Sequence, residues 1–318
     1  MRLSHPVQAR QESDDNRYSG LMGSKSYPDG SVSFTPIRPK PAKRETSKTG
    51  KRAKRGSKGI TTHARRQVRG GAGILERRHG KRLLSFLTFT VPSLPREVMI
   101  RVCSLWSEIV RQLRQNLFRL LKAKGLDPDV VGSIEIQEDR YRKYGEPVPH
   151  IHLVVHGRKS VWRHWACSHR EFEDCYRRAF EAVAGVELDM RASCRTEQVR
   201  KSVVHYLGKY MSKGDKLLKE VRENCEGFPL PTAWHTISEK LRQAVEDETQ
   251  TAVFKASLSD ISGWLKAYKG GIWYKEFRIE EDGAILSIYG MVDGKDVDRF
   301  RRYLLGCVRL RDSQNIGD

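Results

Sequence analysis

The sequence predicts an α+β protein centred on an antiparallel sheet, set between a basic N-terminal arm and a smaller C-terminal α+β region. Three observations lead there. Short apolar runs of strand length alternate with longer stretches in which apolar residues recur every three or four positions. The composition changes near residue 68, and a Phe228-Pro229-Leu230-Pro231 break sets off the last quarter of the 318-residue chain.

Residues 1–68 are rich in Ser, Gly, Pro, Lys and Arg and poor in large apolar residues, so they read as a disordered basic arm. Between Arg38 and Arg66 stand twelve basic residues and one acid, Glu45. Much of the formal net charge of +20, from 59 Lys and Arg against 39 Asp and Glu, lies in that arm. Such an excess points to a polyanionic partner.

Order is expected from a short helix near Gly73-Ile74-Leu75, leading into a buried strand over 83–91. Pro92 and Pro95 end the strand and open a helix over 96–124, with Val98, Val102, Leu105, Ile109, Leu113, Leu117 and Leu120 on its apolar stripe. Gly125 closes it. A strand over 130–138, a charged loop through Gly145 and Pro147, and a strand over 150–156 form a hairpin. A helix over 168–184, a strand over 186–193 and a helix over 197–212 with Gly214 as its stop complete the central domain, residues 69–227. The order β-α-β-β-α-β-α is the ferredoxin-like or split βαβ arrangement. Residues 228–318 add a helix at 236–248, strands at 272–279 and 284–289, and a helix at 295–305.

Two motifs carry chemistry. In Pro149-His150-Ile151-His152 the histidines stand two apart on a strand, on one face, where both can hold one cation. In His205-Tyr206-Leu207-Gly208-Lys209-Tyr210-Met211-Ser212-Lys213, Tyr206 and Tyr210 stand four apart on a helix, each with a lysine three residues on. A metal-ligand pair with a tyrosine pair suggests phosphoryl transfer through a covalent tyrosyl intermediate. Lys209 and Lys213 favour the phenolate or steady the leaving oxygen. Alone, either motif is ordinary surface chemistry. Their combination is specific.

With Phe86-Leu87-Thr88-Phe89-Thr90 ahead of them, these motifs resemble the HUH endonuclease superfamily and, within it, the rolling-circle replication initiators of the two-tyrosine type. The resemblance covers roughly residues 70–215. It implies an RRM-like antiparallel sheet, the HUH endonuclease fold. It also implies a Mg²⁺ or Mn²⁺ site and catalytic Tyr206, Tyr210, Lys209 and Lys213. A third ligand comes from Glu135-Ile136-Gln137, with Glu135 preferred and Gln137 in reserve, because related initiators carry a Glu in such a stretch. Here Arg140 to Tyr144 lengthen the turn that follows. The implied activity is nicking of an origin strand of a plasmid, phage or mobile element, storage of its 5′ phosphate on tyrosine, and rejoining. The threonines of the first strand are expected to face the site or the DNA.

The implied partners are single-stranded and origin DNA, gripped by phosphate contacts and by whichever of Trp162, Trp165 or Tyr141 is exposed. His156 shares the parity of the histidine pair and reads as structural. No GxxxxGK[ST] loop is present, so unwinding falls to a host or element-encoded helicase. Alternatives are an HUH transposase or relaxase, disfavoured because relaxases place the tyrosine ahead of the histidines, and an inactive single-strand-binding regulator on the same fold. The six cysteines form no CxxC pair, no apolar run reaches membrane length, and the N-terminus lacks a signal-peptide stretch. The expected setting is the cytoplasm, with reduced thiols and no membrane.

Overall fold

The computed structural model describes residues 21–36, 59–158, 166–187, 193–200, 202–225, 227–278, 285–292 and 296–314. It is an α+β protein with two five-stranded antiparallel sheets. They belong to two compact units, one of residues 52–247 and one formed by 1–51 together with 248–318. Among the described residues no helix is long and apolar enough to cross a membrane.

In the smaller unit β1 (Leu21–Ser26) and β2 (Ser31–Pro36) pair as a hairpin. Its turn is Tyr27-Pro28-Asp29-Gly30. Gly30 takes φ +86, and Asp29 Oδ1 accepts from the Ser31 amide at 2.9 Å. This corrects the reading of residues 1–68 as a disordered arm for the segment 21–36. The Pro-Asp-Gly turn and the buried alternation of Met22, Val32 and Phe34 outweigh the polar composition around them. Residues 37–58, most of the basic run, lie outside the described residues. The hairpin gains its partners from the far end of the chain: β8 (Gln250–Lys255) on one side, β10 (Ile285–Met291) and β9 (Trp273–Arg278) on the other.

The larger unit begins with a helix, α1 (Thr62–His79), capped by Thr61 Oγ1 accepting from the Ala64 amide. The sequence suggests only a short helix here, because three interior glycines each cost about 1 kcal/mol of helix propensity. Packing offsets that cost. A Cβ on Gly70 would meet Val245 at 2.8 Å, and one on Gly71 would meet Ile237 at 3.0 Å, so the bare backbone lets neighbouring elements close on α1.

A 3₁₀ turn leads to β3 (Leu84–Thr90), followed by α2 (Arg96–Ser104), α3 (Trp106–Ala123), β4 (Val130–Ile136), α4 (Glu138–Tyr144), β5 (Pro149–His156), α5 (His169–Ala184), β6 (Cys194–Gln198), α6 (Val203–Asn224), β7 (His235–Ile237) and α7 (Glu239–Glu248). The sheet order is β6-β3-β5-β4-β7, every neighbour antiparallel.

Period-two alternation sorts the two faces. Leu87, Phe89, Ile134, Ile151 and Leu153 pack against α2, α3 and α5 in one core. Phe86, Val131 and Val154 pack against α1, α6 and α7 in the other. Several boundaries differ from the sequence reading. The helix expected over 96–124 is two, α2 and α3, meeting at Leu105, and Thr236, expected to open a helix, lies in β7. The charged insert forms a helix, α4, because Gly145 at φ +68 stops it and Arg140 pins it by donating to Glu146 and to the Val91 and Pro92 carbonyls. Glu197 lies in β6 opposite Phe86, not in a helix, while residues 188–192 of the strand expected at 186–193 lie outside the described residues. The tyrosine-bearing helix runs through Gly214 to Asn224, because Leu217, Leu218 and Val221 bury an apolar stripe beyond it.

The backbone spacing of β4 and β5 admits no side chain at Gly132, where a Cβ would lie 2.2 Å from the His152 carbonyl oxygen. Gly208, inside α6, has nothing within 4 Å of its missing Cβ. Gly132→Ala is expected to lose about 3 kcal/mol of stability in urea unfolding, while Gly208→Ala gains up to about 1 kcal/mol.

Candidate metal centre

His150 and His152 lie on β5, and β4 passes beside them with Glu135 opposite His150 and Ser133 opposite His152. All three donors therefore face the same side of the sheet as Phe86 and the helix α6. Their atoms converge. His150 Nε2 lies 2.7 Å from Glu135 Oε1, His152 Nε2 lies 3.2 Å from the same oxygen, and the two Nε2 atoms are 3.2 Å apart. Donors about 2.1 Å from a shared ion and at right angles to each other sit about 3 Å apart, so these separations suit one cation.

The surroundings fix the chemical state of the donors. Thr88, opposite His152 on β3, places Oγ1 3.0 Å from His152 Nδ1. Ligation through Nε2 requires the tautomer with the proton on Nδ1, and Thr88 Oγ1 stands where it accepts that N–H. Burial works to raise the Glu135 carboxyl, but the two imidazoles hold it down at about 2, and it is a carboxylate at neutral pH. Burial pushes His152, only 4% exposed, below the ordinary imidazole range against the pull of Glu135, so it is neutral. An anionic carboxylate beside a neutral imidazole with its lone pair inward is a ligand set. This cluster can hold a metal ion.

Gln137, the alternative third ligand, is not among the converging atoms. It lines a cavity of about 180 Å³ together with Glu135, Glu138, Asp139 and His150. Its amide oxygen is buried with no hydrogen-bond partner, as is Ser133 Oγ. Both are places where a bound water or ion would complete the hydrogen bonding.

Tyr206 reaches this face from α6. Its ring meets Phe86 edge-on at 4.3 Å, and Phe86 also stacks on His152 at 5.4 Å and 23°. A cavity of about 550 Å³ opens beside Tyr206, walled by Phe86, β6 and the start of α6. The helix is anchored from α1: Glu76 Oε2 accepts from the Val203 amide at 2.9 Å and from Ser202 Oγ at 3.3 Å, so a carboxylate caps the positive end of α6. Positions 209, 210 and 213 continue the same helix, and the side chains of Lys209, Tyr210 and Lys213 lie outside the described structure.

Of the other expected contacts, Trp162 and Trp165 lie outside the described residues, and Tyr141 is buried and offers no stacking face. His156 is structural: its ring stacks on His79 at 4.0 Å, and Nδ1 accepts from the Asp127 amide. Thr90 pairs with His150, so both threonines of β3 stand on the site face.

Two residues to which the sequence reading gives no role also belong here. Phe86, on the same face as Thr88 and Thr90, joins tyrosine to histidine, and Arg195 stands opposite Thr88 on β6, tied to Glu197 at 2.7 Å. Only the strand pairing reveals Arg195. A second donor group, His169, Glu173 and Cys194, lies on the opposite face, where burial and Glu173 push the Cys194 thiol up to about 12. That thiol stays protonated at neutral pH.

Compared with protein-family models, with curated proteins and with solved structures, the chain matches none.

Two outcomes follow from this geometry. Thr88→Val is expected to weaken Mn²⁺ binding in calorimetry by about ten-fold or more, although Thr88 is not a ligand. A carboxyl with a depressed folded-state pKa contributes stability above its unfolded value and loses it as pH falls through the folded one. The metal-free protein should therefore lose the Glu135 contribution between pH 4.5 and about 2, and Glu135→Gln should flatten the urea-unfolding profile across that window.

Proposed function

We propose that this protein is a metal-dependent DNA-nicking and strand-transfer enzyme of the HUH type, initiating rolling-circle replication of a plasmid, phage or mobile element. The observation that carries the reading is the convergence of His150, His152 and Glu135 on the sheet face that α6 covers with Tyr206. The strand order supports it. Counting β3, β4, β5 and β6 as first to fourth, the sheet reads fourth, first, third, second, the ferredoxin-like or split βαβ arrangement that the motif resemblance implies.

The residues divide the work. His150, His152 and Glu135 would hold Mg²⁺ or Mn²⁺, which supplies polarisation of a scissile phosphate. Phosphate chemistry favours these hard cations, while imidazole ligation tolerates them. The Tyr206 phenol oxygen attacks phosphorus: the P–O bond to the tyrosine forms, and the bond from phosphorus to the 3′ oxygen breaks. The phenolic proton passes to water, a lysine ammonium nearby favouring the phenolate, and an ammonium delivers a proton to the leaving 3′ oxygen, roles suited to Lys209 and Lys213. Reversal by a new 3′ hydroxyl rejoins the strand without ATP, because the phosphotyrosine retains the energy of the first bond. The cavity beside Tyr206, about 550 Å³, has room for a nucleotide. Phe86 fixes the tyrosine ring laterally, and the Glu76 cap fixes the helix that carries it.

Tyr210 follows Tyr206 by one helical turn, which suits alternation: one tyrosine holds the 5′ phosphate while the other attacks the regenerated junction. The test is the trapped adduct on a single-stranded origin in Mn²⁺. With alternation, Tyr206→Phe and Tyr210→Phe each still form some 5′-phosphotyrosine, and neither completes repeated strand transfer. If Tyr206→Phe loses every adduct and Tyr210→Phe behaves as wild type, one tyrosine suffices. An adduct on neither, with DNA binding intact, leaves a binding protein and overturns the enzyme reading.

A further inference from the structure

The C-terminal half of the chain supplies most of a second sheet, and among the described residues of this unit the helices pack on one of its faces. Met22, Val32, Phe34 and Ile288 pack into a core with α8 (Leu258–Ala267) and α9 (Val297–Gln314). The alternate residues point the other way. Following the register across the sheet, Thr251 on β8 stands opposite Lys25 on β1, Lys25 opposite Ser33 on β2, Ser33 opposite Tyr289 on β10, and Tyr289 opposite Lys275 on β9. Lys25, Thr251 and Lys275 are exposed, and Tyr289 is half-buried.

Diagonal to Tyr289, and on the same face, is Trp273, 60% exposed. Its ring meets Tyr289 edge-on at 6.4 Å and 72°. A tryptophan left this open forgoes the large apolar gain its burial would bring. Here it lies beside that row, next to an aromatic neighbour and two residues along β9 from Lys275.

We propose that this open face of the second sheet binds single-stranded nucleic acid, with Trp273 and Tyr289 stacking bases and Lys25 and Lys275 meeting the phosphates. The chemistry selects this partner on two counts. A tryptophan stacks on any unpaired base, and a duplex keeps those base faces hidden. The lysines, on a chain of net charge +20, complement a polyanion. The platform would hold single-stranded DNA apart from the tyrosine centre. In that use it rests on the proposed nicking function, but binding itself can be read without any nicking.

The experiment measures affinity for labelled oligothymidine in EDTA, using the full chain in a His150→Ala, His152→Ala background so that cleavage plays no part. Trp273→Ala should weaken binding about ten-fold or more, and Trp273→Phe should retain most of it. Lys275→Ala should lower the slope of log affinity against log salt by about 0.7. Binding to a duplex of the same length should be unchanged by Trp273→Ala. The inference is overturned if Trp273→Ala leaves oligothymidine affinity within two-fold, or weakens single strand and duplex alike. It is also overturned if the change instead dissociates a dimer in light scattering, which would place a second copy of this chain on the face. Loss of nicking activity in the native sequence would refute the proposed function and leave this result standing.

Discussion

Glu135 reaches both histidines because β4 and β5 pair in one register: Glu135 opposite His150, Ser133 opposite His152. Strand side chains alternate with period two, so a slip of one residue would turn Glu135 into the core beneath the sheet and bring Ile134 or Ile136 up among the imidazoles. The rest of the centre depends on that pairing. Gly132 enforces it from within the ladder, since any side chain there would strike the His152 carbonyl. The α4 insert enforces it from the turn, where Arg140 ties the hairpin end to the Val91 and Pro92 carbonyls just beyond β3. Beyond β5, Thr88 on β3 stands where it accepts from His152 Nδ1 in the tautomer that ligation requires, and Phe86 two residues earlier carries the contact to Tyr206.

This arrangement costs stability. Three polar donors on a largely covered sheet face lose hydration that their mutual hydrogen bonds only partly restore, and apolar residues of similar volume would pack there without that loss. The unpartnered oxygens of Gln137 and Ser133 add to the cost. A fold tolerates such a cluster where a ligand completes it. Hydrophobic residues surround the cluster on both strands, with Val131 and Val154 behind it and Ile134 and Ile151 on the reverse face, so the donors are held by rigid elements and not by a loop.

How much of this was legible in the sequence depended on how local each signal is. The parity of His150 and His152 and the strand character of 84–90 need only period two, and they stand where the sequence places them. Glu135 needed the hairpin, which the turn signals between the two strands indicate, and the motif resemblance, which prefers it to Gln137. The β1–β2 hairpin carried its own signal in Tyr27-Pro28-Asp29-Gly30, but its strands find their partners about 220 residues or more away, at β8 and β10, and the surrounding polar composition masked it. The α1 helix was hidden because glycines that weaken an isolated helix strengthen a packed one. Glu197 has no local reason to prefer a strand; it is held by β3. Phe86 shares the parity of Thr88 and Thr90, so period two puts it on the site face, but its contacts with Tyr206 and His152, like the place of Arg195, come only from neighbouring elements.

The claim that binds these points together is that two imidazoles from one strand share a single ion. Electron spin-echo envelope modulation of the Mn²⁺-loaded full chain reads it directly. The account predicts modulation from two imidazole nitrogens, reduced to one in His150→Ala. Bound Mn²⁺ with no nitrogen coupling, or a coupling that His150→Ala leaves unchanged, would contradict it.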